Sequence, residues 1–158
     1  MTKWILYTIT LGMAVYWASN LILWFPWSYS TELGITLMFT VAPFLWAYVT
    51  FLSLKAYPKM SLLLGAFIVS LILILMAVVM DYIFFGLIRN AMEELYHPTT
   101  LYGYAFLISL PFIVALIFKR NLLPQKKIIT KTDFVRASIS GMVCFGILIL
   151  IIVFKIGV

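Results

Sequence analysis

A single carboxylate interrupts the most apolar stretch of this chain. In SLLLGAFIVSLILILMAVVMDYIFFGLI, residues 61–88, Asp81 is the one charged residue. Charge is costly in hydrocarbon, so such a group must be neutralised, paired or solvated. Acids inside membranes accordingly serve as proton relays, cation sites or ligand counter-ions. Asp81 is therefore the leading candidate for chemistry, with Thr36, Thr40, Asn20 and Ser70 as polar residues able to line an interior path beside it.

A second cluster follows at Glu93, Glu94 and His97. Glu94-Leu-Tyr-His97 has the E-x-x-H spacing that sets both side chains on one helical face, as in di-iron carboxylate bundles. Those centres need two such motifs, and this chain holds one histidine. Glu93, Glu94 and His97, with Asp81 as a further ligand, are the residues a zinc or manganese ion would use. A membrane enzyme working on lipid at the outer face would depend on the same three. The plainer expectation is a solvated loop helix ended by Pro98.

The third cluster is basic. KRNLLPQKKIITKTDFVR carries Lys119, Arg120, Lys126, Lys127, Lys131 and Arg136 against Asp133. Anionic lipid headgroups would bind such a loop at about 1 kcal/mol per basic residue. No stacking platform or recognition helix accompanies the charges, so nucleic acid is not the expected partner. There is no G-x-S-x-G, H-E-x-x-H, phosphate-loop or dinucleotide-binding pattern, and no cofactor is expected. The single cysteine, Cys144, excludes an internal disulfide and lies in an apolar run, where a small buried thiol is ordinary.

These residues sit on elements that composition largely dictates. Of 158 residues, 65% are hydrophobic and 10% charged, whereas soluble domains carry roughly 25% charge. A soluble core this small cannot hide so much apolar surface. A membrane-crossing helix needs about 20 mostly apolar residues, and five stretches meet that need, at about 4–25, 32–54, 61–88, 101–118 and 137–154. The first is too long for a signal peptide and lacks a cleavage pattern, so it reads as a retained span. The expected fold is all-α: one transmembrane domain over 1–158, a bundle of five helices.

Prolines and caps mark the joins. Pro26, Pro58, Pro98 and Pro124 fall between spans. Thr99 or Thr100 can cap the fourth helix, and Thr130-Lys-Thr-Asp133 has capping-box spacing. Pro43 and Pro111 fall within spans, where each frees the carbonyl four residues back.

Orientation follows from lysine and arginine. With the N-terminus inside, Lys3, Lys55, Lys59, Lys119, Arg120, Lys126, Lys127, Lys131 and Arg136 are cytoplasmic, and Arg89 and Lys155 are outside. The reading is N-in, C-out, in the cytoplasmic (inner) membrane. Trp24, Phe25, Trp27 and Tyr29 cluster at the expected outer end of the first span, as interfacial anchors do.

Helices in lipid meet through small and polar faces. Such stripes run through Thr8, Gly12, Tyr16 and Ser19; through Thr36, Thr40, Pro43, Ala47 and Thr50; through Ala66, Ser70, Ala77 and Asp81; and through Ala137, Gly141 and Cys144. Asp81 thus shares the bundle-facing side of its helix. Lys59 to Asp81 spans roughly 33 Å of helix, a whole crossing, which sets Asp81 near the outer boundary.

With no catalytic set and little mass outside the spans, the leading expectation is a non-enzymatic membrane protein that acts as an oligomer or as a subunit of a membrane complex. The alternative is a proton- or cation-coupled small-solute transporter or channel using Asp81. The second alternative is the outer-face lipid-modifying or metal-dependent enzyme built on Glu93, Glu94 and His97.

Overall fold

The computed structural model describes residues 1–59, 61–122 and 127–154, the side chain of Glu94 excepted. Helices form along the apolar runs, and no strand occurs among the described residues. Helix α1 covers Thr2–Tyr29. Pro26, expected to end the first span, lies inside its last turn. A proline there removes a single amide donor, and the Ser30 N–H still closes the turn on the Pro26 carbonyl at 3.0 Å. The true stop is Ser30, whose backbone is extended and whose hydroxyl accepts the Leu33 N–H at 3.3 Å to cap the next helix. Gly34 lets this hairpin close, because a Cβ there would stand 2.5 Å from the Trp27 ring.

The second apolar run is divided rather than continuous. Helix α2, Thr31–Thr40, and helix α3, Ala42–Lys55, meet at Val41. Pro43 thus sits in the first turn of α3, where its missing N–H costs least. Helix α4 spans Leu62–Asp81 and is capped by Ser61. It passes directly into a π-helical segment, Tyr82–Ile88, whose wider turns show in the Arg89 N–H bond to the Phe84 carbonyl five residues back. Asn90, at φ 53, breaks that helix in the left-handed region that asparagine tolerates. A short 3-10 turn at Met92–Tyr96 leads into α5, Pro98–Ile117. The cap of α5 is His97, not a threonine, and Pro98 occupies the first turn. Helix α6 is the single turn Lys119–Leu122. Helix α7, Lys131–Val153, opens with the capping box of Thr130 and Asp133. Pro124 lies outside the described residues.

Five helical stretches, with α2 and α3 taken together, are long and apolar enough to cross a membrane. The bundle is centred on α1, which packs against α2, α3, α4 and α7. Its Gly12 face receives Leu73 and Met76 of α4, while Ala14 meets α7 at Gly141. A Cβ on Gly141 would stand 3.0 Å from the Ala14 Cα, so the two backbones approach as small residues permit. Ring pairs Tyr7–Phe134 and Trp17–Phe145 flank this contact. Residue numbers rise together along both helices, so α1 and α7 run parallel.

The end of the bundle that holds the start of α1 is basic and tightly laced. Trp4 Nε1 donates to the Ser53 carbonyl at 2.7 Å. The Lys127 N–H bonds the Lys55 carbonyl at 3.0 Å, and Lys55 Nζ bonds the Asn121 carbonyl at 2.8 Å. Lys127 Nζ reaches the Tyr7 hydroxyl at 3.2 Å and Asp133 at 2.8 Å. Partial burial pulls the Lys127 ammonium down, but Asp133 and Tyr7 outweigh it and hold the group above the ordinary lysine range.

Candidate functional site

Asp81 ends α4 on the face that carries Ala66, Ser70 and Ala77, all of them buried. Those small residues let neighbouring helices come close, and the carboxylate lies between them with 7% of its surface exposed. Each oxygen has its own donor. The Tyr16 hydroxyl of α1 donates to Oδ1 at 2.6 Å, and the Tyr104 hydroxyl of α5 donates to Oδ2 at 2.7 Å. Three helices are joined through one carboxylate.

Tyr16 is itself held in place. Its ring stands edge-on to Trp17 at 5.1 Å, and one turn on, Asn20 Nδ2 donates to the Tyr16 carbonyl at 3.1 Å. Beyond Asp81, the π segment turns Phe84 fully inward against Trp17, Trp24 and Phe85. The Arg89 guanidinium packs on this layer, 4.8 Å from the Trp24 ring centre and 5.3 Å from that of Phe85. The arginine uses ring faces as its platform.

The other sequence candidates are distributed. Ser70 is buried and donates to the Ile108 carbonyl of α5 at 2.9 Å, next to the Leu107 carbonyl that Pro111 leaves without its helical donor. Asn20 is half-buried, one turn from Tyr16. Thr36 and Thr40 are not with Asp81. Both are exposed on α2, and each bonds a carbonyl of its own helix, Glu32 at 2.8 Å and Thr36 at 2.6 Å. In their place, the interior holds Thr8, Thr50, Ser53 and Tyr57, whose hydroxyls are buried and meet no protein partner among the described residues. Buried hydroxyls are ordinarily satisfied, by water if not by protein. Thr8 and Thr50 were legible as stripe residues; Ser53 and Tyr57 carried no such signal.

His97 is exposed and serves as a helix cap: its Nδ1 accepts the Thr99 N–H at 3.4 Å and lies 2.7 Å from the Thr99 hydroxyl. Glu93 is exposed, and the side chain of Glu94 lies outside the described residues. Among the described residues, no three His, Cys, Asp or Glu side chains come together as a metal site. Of the basic cluster, Lys119, Arg120, Lys131 and Arg136 are exposed, Lys127 is engaged as above, and Lys126 lies outside the described residues.

The chain matches no family model, no curated protein and no solved structure. A carboxylate between two phenols can take and release a proton or hold a small cation.

Proposed function

We propose that this protein is a multi-pass protein of the cytoplasmic membrane, N-in and C-out, that moves a proton or small cation through its bundle with Asp81 as the coupling carboxylate. The observation that carries this reading is the burial of Asp81 between Tyr16 and Tyr104. Ionisable groups are rare within membrane-spanning segments and mark ion pathways when they face the bundle interior. A packing role alone would be filled more cheaply by an apolar residue, since buried ion sites seldom exceed a hydrophobic replacement in stability. The buried hydroxyls of Thr8, Thr50, Ser53 and Tyr57 support it further, because they leave hydrogen-bonding capacity inside the bundle on the basic side of Asp81. Nine of the eleven lysines and arginines fall on the side that this orientation assigns to the cytoplasm.

The test is reconstitution into liposomes with an internal pH dye and an imposed ion gradient. Wild-type protein should collapse the gradient, and Asp81→Asn should reduce the rate at least tenfold at equal protein content. Equal rates for the two proteins would overturn the reading.

A second reading, an oligomeric or accessory subunit of a membrane complex, is favoured by the open small-residue positions Gly103 on α5 and Gly146 on α7, where an added Cβ would meet no neighbouring element within 4 Å. Small residues on membrane helices are the usual places of close helix contact. This reading predicts co-purification with a partner or a second copy, and a monomer in mild detergent counts against it.

A further inference from the structure

Beside α1, between α3 and α7, runs an open apolar groove of about 190 Å³. Its floor is Ala14 and Ala18 of α1, its walls Tyr48 and Leu52 of α3 and Ala137 and Ser140 of α7. The small residues create it. Gly141 draws α7 onto α1, and the short side chains of Ala137 and Ser140 leave the space toward α3 unfilled. The groove opens sideways, where a membrane protein meets lipid tails rather than water.

Two of the helices that form the groove carry an exposed basic residue beyond it toward the basic end. Arg136 stands one helical turn before Ser140 on the same face of α7 and is exposed. Lys3, exposed on α1, lies about three turns before Ala14 and returns to nearly the same face. Lys55 of α3 is engaged elsewhere, on the Asn121 carbonyl. Two helices thus supply one exposed cation apiece on the basic side of one apolar slot. A free anion would have no use for the slot, and a neutral lipid none for the cations.

We infer that this groove is a binding site for one anionic phospholipid, its acyl chain along Ala14, Ala18 and Ser140 and its headgroup phosphate against Lys3 and Arg136. The site narrows the basic-loop expectation to Arg136 and adds Lys3 from outside that loop. It rests on the membrane reading above but not on any role for Asp81.

Native mass spectrometry of the detergent-purified protein tests it, with phosphatidylglycerol titrated against phosphatidylcholine of the same chains. Wild-type protein should retain one phosphatidylglycerol preferentially. Substituting both exposed cations, Lys3→Gln with Arg136→Gln, should lower that affinity about tenfold or more and abolish the preference. Ser140→Phe, which fills the slot from an exposed position, should weaken both lipids alike. Equal retention of the two lipids by wild-type protein overturns the site, as does a preference that survives the double substitution. Recovery of the protein in the soluble rather than the membrane fraction would instead overturn the membrane reading, so the two failures are distinguishable.

Discussion

The Tyr16 hydroxyl donates to Asp81 Oδ1 across 2.6 Å, a bond between residues 65 positions apart that fastens the first helix to the end of α4. With the Tyr104 bond to Oδ2 it makes Asp81 the meeting point of three helices. Removing one donor leaves a buried carboxylate oxygen short of a partner, at a cost of about 1–3 kcal/mol. Tyr16→Phe should cost more than Tyr104→Phe, because Tyr16 is buried and Tyr104 half-exposed. Either substitution should be largely neutral on top of Asp81→Leu, a coupling that a double-mutant cycle of unfolding in detergent would measure. Additive effects would show that the bonds do not hold.

Close packing of α1 on α7 makes a sharper contrast available. A methyl at Gly141 would press on the Ala14 backbone, which cannot move aside as a flexible side chain can. Gly141→Ala should therefore destabilise by about 1–3 kcal/mol. Gly146→Ala, with nothing within 4 Å, should be neutral or gain up to about 1 kcal/mol from helix propensity. Thermal unfolding of the two variants side by side decides it.

The expected path residues separate in the same way. Thr36→Val and Thr40→Val should leave gradient collapse unchanged, since both hydroxyls are spent on carbonyls of their own helix. Ser70→Ala should cost about 0.6 kcal/mol, the usual worth of a bond between membrane helices. A flux defect in the threonine variants would return α2 to the pathway.

At the basic end, Lys127→Met should cost about 0.5–1 kcal/mol, a modest figure because the ion pair is partly exposed. The Lys127 ammonium is held above its ordinary value of 10.5. A raised folded-state value stabilises fully below the unfolded one and is lost as pH climbs through the folded one. Wild-type and Lys127→Met stabilities should therefore stay parallel through neutral pH and converge above the ordinary lysine range, and again at acid pH, where Asp133, which Lys127 holds below the usual carboxylate range, takes up its proton.

The helices were legible because hydropathy over a window of about 20 residues leaves few alternatives. The inward side of Asp81 was legible too, from Ala66, Ser70 and Ala77 at helical spacing. Its partners were not. Tyr16 and Tyr104 are joined to it only by tertiary contact, and nothing local to either residue names an acceptor. Thr36 and Thr40 were misplaced for a physical reason: a threonine that bonds the carbonyl four residues back satisfies itself and can face outward without penalty. The span 61–88 already carried the helix past Asp81, but nothing in the count foresaw that Tyr82–Ile88 is π-helical and turns Phe84 inward. A π turn has no period long enough to read in seven residues.

The parallel pairing of α1 with α7 has a bearing on how the molecule is made. Gly141 follows Ala14 by more than a hundred residues, and ribosomes add about 5–20 residues per second. For on the order of ten seconds, α1 must therefore wait with its Ala14 face uncovered by α7. Only when α7 has been made can that face be claimed, which makes the contact of α1 with α7 a late seam of assembly.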